Sequence, residues 1–375
     1  MQLLKAIYLR HELHAVTLGT VPYNKSLSVI LTHDIDYNRS LKNAVVYAGH
    51  QRDENISATY FIQTKYIRDW NDEIFFKKEN IVDLTMLESL NVELASHTVS
   101  HSRLFHDFII GDGNEQYPEY SPFVMDKNIT YNGSILGELR VSKFLIEHFA
   151  KNTEVVSFRP GYLRNPLALP QALQATGYRY SSSVTANASL SHLPFRLNYN
   201  RDIYSEVDVF EFPVTVEDES PPKLGDRLDD AVKLAKKISR YGGIFVVLIH
   251  PDILDHKLEF QLGLIKAVKP YAWFGSLRQF GDWWSARDQI SIDVVTKEQE
   301  NRVMLDIPEP INGLVVNVPE SWLLLKTIPE HVQARQEKGS VILGSAQGKI
   351  ELVFKQNIRV MGTQDLIIPK ATFAI

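Results

Sequence analysis

The sequence of 375 residues contains no cysteine. That excludes disulfides, thiolate metal ligands and cysteine nucleophiles, so any metal must be held by histidines and carboxylates. Charge of one sign is also missing: 40 Lys and Arg stand against 45 Asp and Glu, a net charge of −5. Nothing here attracts nucleic acid or an anionic membrane surface. No run approaches the roughly 18 apolar residues of a membrane span. The first twenty residues, MQLLKAIYLRHELHAVTLGT, are interrupted by Lys5, Arg10, His11, Glu12 and His14. The expectation is a soluble chain without a signal peptide or a membrane span. Low-complexity segments and internal repeats are absent as well.

What is present is an ordinary globular balance, 44% hydrophobic and 23% charged, ample for a large core. Single cores stop growing near roughly 250–300 residues, so one large domain and a smaller one are expected. Short β-rich runs at 28–31 (SVIL), 58–62 (ATYFI), 91–95 (NVELA), 155–158 (VVSF), 178–184, 209–214 (VFEFPV) and 244–249 (IFVVLI) alternate with helical stretches. The clearest 3.6-residue periodicity predicts helices over 135–152 and 227–241, the second ending at Gly242-Gly243. This alternation predicts an α/β sheet or barrel. After Trp283-Trp284 the character changes to short alternating runs (SIDVV, VMLDI, GLVVNV, SVILG, KIELVFK, LIIP), which predict a small all-β domain, a sandwich by type. The domain reading is a lead-in segment 1–25, a catalytic domain 26–288 and an accessory β domain 290–375. The polar stretch 111–126 reads as a long loop, of the kind that shapes binding sites.

Several strands run apolar and then end abruptly in ionisable residues: SVIL into THDID, VELA into SHTVSH, VVSF into RPGY, and IFVVL into IHPD. Active sites of α/β barrels are built at the C-terminal ends of the strands. Within these clusters, His97 and His101 stand at i and i+4, which on a helical turn puts two imidazoles on one side of a metal ion. An isolated pair of this spacing arises often by chance. Asp34 and Asp36 add to it, since two carboxylates directly after a buried strand are hard to explain as packing. One Asp completes a two-His-one-carboxylate site with open positions for water and substrate, and the other stands ready as general base. The competing reading of Asp36 alone is a turn or helix cap. Arg159 and His250, taken singly, read as a turn residue and an exposed strand-end histidine. Trp283 and Trp284 read as core residues. Tyr37, Tyr162 and Tyr180, beside the motifs, read equally as packing or as sugar-stacking rings.

The order Thr32-His33-Asp34-Ile35-Asp36, Ser96-His97-Thr98-Val99-Ser100-His101, Phe158-Arg159-Pro160-Gly161-Tyr162, then Leu248-Ile249-His250-Pro251 resembles the polysaccharide deacetylase family, the NodB-homology domain of carbohydrate esterase family 4. Ala58-Thr59-Tyr60-Phe61, Glu211-Phe212-Pro213 and Ser276-Leu277 with Phe280 and Trp283-Trp284 add to the match, which spans about residues 26–288. The resemblance implies a distorted (β/α) barrel of about seven strands and hydrolysis of N-acetyl or O-acetyl groups on a polysaccharide. It also implies an Asp-His-His metal site for a divalent ion, usually Zn2+, with Co2+ among the alternatives. Carried over residue by residue, His97 and His101 are metal ligands, Asp34 the base and Asp36 the third ligand. Arg159 orients the base, by paired hydrogen bonds, and His250 is the general acid. Gly161 and Tyr162 contact substrate through a backbone N–H.

Three departures mark this chain. The family's two adjacent aspartates are separated here by Ile35, so position-by-position alignment puts Ile35 at the ligand position and leaves swapped or shared roles of Asp34 and Asp36 open. His33 replaces an aromatic residue and is a further group able to approach the metal. Tyr180-Ser181-Ser182-Ser183 stands where an aspartate usually tunes the catalytic histidine, with Asp252 as a candidate substitute. The expected partner is an acetylated polysaccharide or oligosaccharide, not nucleic acid. The alternatives are a C–N hydrolase of small cyclic amides and an inactive carbohydrate-binding scaffold. The substrate class points to the cell envelope or another extracytoplasmic site, with the cytoplasm as the alternative given the absent export signal.

Overall fold

A computed structural model describes residues 2–70, 74–297 and 300–356. The chain divides into two compact units, Lys25–Ser285 and a second made of Met1–Asn24 with Ala286–Ile375.

The larger unit is built on nine parallel strands, one of them (Ala272–Phe274) paired off the main path and eight along it: β1 (Leu27–Ile35), β2 (Thr59–Ile62), β3 (Glu93–Ser96), β4 (Ser157–Phe158), β5 (Tyr180–Ser181), β6 (Glu206–Glu211), β7 (Val214–Val216) and β8 (Ile244–Ile249). Their order in the sheet is β7-β8-β1-β2-β3-β4-β5-β6, with Phe195–Asn198 antiparallel on the β6 edge. A parallel bridge between Thr185 and Val214 ties the continuation of β5 to β7, curling the sheet into a distorted barrel. Helices α1 (Asn38–Asp53), α2 (Lys78–Glu88), α3 (Ile135–Phe149), α4 (Leu169–Ala175), α5 (Leu228–Ser239) and α6 (Asp255–Val268) lie along the chain between or after these strands. The seven expected strand regions are all present. The run 209–214 is divided in two because Pro213 has no N–H to give a ladder, so β6 stops before it and β7 starts after it.

Strand alternation divides the side chains into two layers. Leu31, Ile35, Tyr60, Ile62, Val247 and Ile249 point outward into an apolar core with Leu41, Leu139 and Phe260 of the helices. The opposite face carries the polar residues at the strand ends. Trp283 and Trp284 are buried against Phe280. The 111–126 stretch is mostly irregular but ends in a strand, Phe123–Asp126, that pairs with Ile129–Tyr131.

In the second unit, Thr17–Leu18 pairs with Val315–Asn317, so the N-terminal lead-in is not a free segment but part of the same body as the C-terminal strands. Its two sheets, each of four antiparallel strands, bury Val303, Leu305, Ile307, Val341, Leu343, Leu352 and Phe354. The LIIP run lies outside the described residues. Among the described residues, no helix is long and apolar enough to cross a membrane.

At the N-terminal ends of the barrel strands, Glu93 is fully enclosed by donors. It accepts from Thr59 Oγ1 at 2.8 Å, Ser157 Oγ at 2.5 Å and the Arg278 N–H at 2.8 Å. Burial pushes its carboxyl above the usual range, and these bonds offset part of the rise. Glu93 thus joins β2, β3 and β4 to the start of the helix at Leu277. Replacing it by alanine strands three buried donors, and urea unfolding is expected to show a loss of roughly 3 kcal/mol. A change below about 0.5 kcal/mol, the size of an ordinary surface substitution, would remove Glu93 from that role.

Candidate active site

The Asp34–Ile35–Asp36 spacing has a direct structural consequence. Side chains two residues apart share a strand face, so Thr32, Asp34 and Asp36 point inward while His33 and Ile35 point outward. Ile35 has no exposed surface and sits in the apolar core. His33 is equally buried, 2.9 Å from Gln261 Oε1 and stacked on Tyr60 at 4.5 Å. Burial drives its pKa down to about 4 against the pull of Gln261 and Asp34. Neither residue faces the site, which corrects the reading of His33 as a group that approaches the metal.

Asp36, His97 and His101 bring one ligand atom each within 4.8 Å of one another, all three buried. Asp36 Oδ1 is 3.2 Å from His97 Nε2 and 3.4 Å from His101 Nε2. His97 Nδ1 lies 2.8 Å from the Arg159 carbonyl oxygen. A carbonyl only accepts, so Nδ1 carries the proton and Nε2 presents a lone pair to the Asp36 oxygen, itself buried and accepting no hydrogen bond. Two acceptors face to face need a cation between them or a second proton on the ring. Burial alone would raise the Asp36 pKa, yet the charges of His101, His97 and His250 hold it well below the carboxylate range. Burial alone would lower that of His97, yet Asp34 and Asp36 raise it. The cluster therefore attracts positive charge, and its donor set suits a divalent ion with positions left open.

The segment from His97 to His101 is not the helical turn expected from its spacing. It is an irregular loop after β3 in which Thr98 (φ 69°) and His101 (φ 51°) occupy the left-handed region. Such conformations are uncommon away from glycine and persist where the surroundings over-determine them. Here Glu138 of α3 accepts the N–H groups of Val99 and Ser100. At Gly161 a Cβ would lie 2.5 Å from His101 Cδ2, so only glycine admits the imidazole there.

Asp34 is 2% exposed, with Oδ1 accepting from Arg159 Nη1 at 2.7 Å and Oδ2 lying 3.8 Å from His97 Nε2. The expected paired bonds are replaced by a single one. Arg159 spends its other donors on Thr32 Oγ1 (2.8 Å), the Ser182 carbonyl (2.9 Å) and Ser182 Oγ (2.7 Å). Asp34 Oδ2 thereby stays free of the guanidinium. Within the serine run 181–183, Ser182 serves Arg159, while Ser181 and Ser183 share a hydroxyl bond and the Ser183 N–H goes to Glu211.

His250 stands opposite, with Nδ1 2.7 Å from Asp218 Oδ1 and Nε2 3.6 Å from Asp36 Oδ2. Asp218 also accepts the His250 N–H at 2.8 Å and pairs with Lys257 at 2.6 Å. Burial lowers the His250 pKa, but the Asp218 hydrogen bond and the charge of Asp36 outweigh it and lift the value to about 10. The acidic partner of the histidine is Asp218, not Asp252, which pairs with Lys257 at 2.5 Å and faces Arg39 at 3.7 Å. Sequence reasoning missed Asp218, although Val214-Thr215-Val216 running into Glu217-Asp218 repeats the apolar-then-acidic pattern of the other strand ends.

Tyr162 (φ 55°) lies 4.8 Å from the His101 ring and beneath the Arg103 guanidinium at 4.7 Å. The N–H groups of Gly161 and Tyr162, at the start of a short 3₁₀ turn, have no acceptor among the described residues. Tyr37 is exposed next to Asp36, whereas Tyr180 is buried with its hydroxyl on Asp282 and is a packing residue. Gln63, one step beyond the Ile35–Ile62 pair of the β1–β2 ladder, is buried with no hydrogen bond to its amide atoms. No motif singled it out.

No family model and no curated protein matches the sequence. Among solved structures, one named for a polysaccharide deacetylase from Mycobacterium smegmatis superposes with a TM-score of 0.53 at 14% identity, over 76% of this chain and 100% of that one. One named for a polysaccharide deacetylase from Pseudomonas aeruginosa PAO1 gives a TM-score of 0.49 at 10% identity, over 70% and 91%. A PuuE allantoinase gives 0.48 at 11%, over 71% and 92%. At such identities the likeness concerns the fold, and the first superposition carries it. With its curled parallel sheet and polar strand ends, the chain has the NodB-like fold of the polysaccharide deacetylases.

Proposed function

We propose that the chain is a metal-dependent hydrolase that removes acetyl groups from N-acetylated amino sugars of a polysaccharide. One observation carries the reading: the Asp36, His97 and His101 cluster lies between a carboxylate held by Arg159 and an imidazole held by Asp218. Hydrolysis of an amide needs a base for the attacking water and an acid for the departing amine, on either side of an electrophilic centre. A divalent ion held by the three ligands, zinc by its preference for imidazole and carboxylate, supplies Lewis acidity that polarises an acyl carbonyl and brings the pKa of water toward roughly 7.

The chain's own residues supply the rest. Asp34, fixed through Oδ1 by Arg159, takes the water proton on its free Oδ2. The N–H groups of Gly161 and Tyr162 hold the oxygen on which negative charge develops. His250, with Nδ1 on Asp218, gives the proton on Nε2 to the nitrogen as the carbon–nitrogen bond breaks. Acetate and a free amino sugar result. The same substrate class puts the proposed site of action at the cell envelope.

The test is acetate release from N-acetylglucosamine oligomers and acetylated polysaccharides, assayed as purified, after chelation and after adding zinc or cobalt. Release that chelation abolishes and metal restores is the expected result. A protein that carries stoichiometric metal yet releases no acetate would overturn the proposal. Asp34→Asn is expected to lower kcat by about 10²–10⁴, the usual worth of a positioned base, with metal content retained. Undiminished turnover would take the base role from Asp34.

The pH profile separates the acid. Against burial, the hydrogen bond and charge of Asp218 hold the His250 proton above the ordinary imidazole range, so the wild-type rate should keep its acid-dependent limb above neutrality. Asp218→Asn removes the hydrogen-bonded charge that raises the pKa. The alkaline fall of kcat is then expected to start at lower pH, while activity on the acidic side changes less. An alkaline limb that stays in place would rule out the His250–Asp218 pair as the proton donor.

A further inference from the structure

The loop that carries both histidine ligands is anchored from behind by a buried carboxylate on a different element. Glu138, in the first turn of α3, has no exposed surface. Its Oε2 accepts the N–H of Val99 at 2.7 Å and that of Ser100 at 2.9 Å, the two residues midway between His97 and His101. Its Oε1 accepts the Tyr120 hydroxyl at 2.9 Å. Tyr120 belongs to the long 111–126 segment, and its oxygen in turn accepts the Ser134 N–H at 3.1 Å. Thr98 ties further parts of the loop in place. The Thr98 carbonyl accepts the N–H of Thr64 at 3.1 Å and its hydroxyl at 3.2 Å, and the His101 N–H reaches Thr98 Oγ1 at 3.2 Å.

Left to itself, this loop would not keep its shape. Thr98 is β-branched with a positive φ, and His101 shares that region. The N–H groups of Val99 and Ser100 point away from solvent, since both residues are at most 2% exposed. A charge-assisted acceptor is the strongest uncharged-donor partner available to two adjacent N–H groups, and one carboxylate oxygen takes both. The two imidazoles flanking this bond pair lie 5.1 Å apart between ring centroids.

We propose that Glu138 is a positioning residue of the metal centre, setting the geometry of His97 and His101 through the backbone between them, with Tyr120 linking the long loop to it. The proposal rests on the reading of Asp36, His97 and His101 as a metal site. Groups that orient metal ligands typically contribute 10–100-fold to metal affinity.

The test is zinc affinity of the full chain, by competition with a chromophoric chelator, together with thermal unfolding of the metal-free protein. Glu138→Leu removes both acceptors in a side chain of similar size. Expected is zinc binding weakened 10–100-fold, with Glu138→Gln, which keeps one acceptor oxygen, lying between it and the wild type. A purely structural role would lower the metal-free unfolding temperature and leave zinc affinity unchanged, and that result overturns the proposal. Should Glu138→Leu fail to fold, Tyr120→Phe decides: a several-fold weaker zinc affinity supports the coupling, and an unchanged one overturns it. A wild type that binds no zinc sinks the metal reading itself, whereas unaltered variants beside a zinc-binding wild type sink only the role of Glu138.

Discussion

A guanidinium with no exposed surface must find acceptors on every side, and the site of this protein is arranged around that requirement. Arg159 satisfies it with four hydrogen bonds, to Thr32 and Asp34 at the end of β1 and to Ser182 twice after β5, while its plane lies 4.3 Å over Phe61 of β2. Its own carbonyl fixes the His97 tautomer. One residue therefore joins the ends of four strands and holds both Asp34 and His97 in place. Breaking a buried pair of this kind by removing one partner typically costs about 3–5 kcal/mol, because a charge is left unpaired in low dielectric.

The same physics recurs in the buried glutamates. Glu93 gathers donors at the N-terminal end of the barrel, and Glu138 and Glu211 do so behind loops that follow the strands. Glu211 accepts the N–H groups of Ser183 and Val184 through one oxygen, as Glu138 does for Val99 and Ser100. Burial raises the pKa of all three carboxyls, and hydrogen bonds pull it back. A loop that leaves a strand has backbone N–H groups with no ladder partner, and inside the fold water cannot serve them. Carboxylates supply the missing acceptors and hold the loops in one conformation.

Much of the site was legible because strand periodicity is local. The runs SVIL-THDID, VELA-SHTVSH, VVSF-RPGY and IFVVL-IHPD each announced a buried strand whose end carries chemistry, and all four ends converge. Of the readings that failed, two show most directly why. The i, i+4 histidines suggested a helical turn, but a loop strained at Thr98 and His101 brings the rings together because Glu138 and Gly161 hold them there. The histidine's acidic partner was sought at Asp252, near in sequence, whereas Asp218 reaches it from the end of β7.

The order of motifs, the alternation of strands and helices, and the two-residue spacing of Asp34 and Asp36 were settled by local chemistry, since side-chain direction along a strand depends on a residue's own position. The pairings were not. Arg159 and Asp34 are 125 residues apart, and His250 and Asp218 are 32 apart. Whether such groups meet depends on how the sheet curls and which loops are pinned, and those are properties of packing that no neighbouring residues encode.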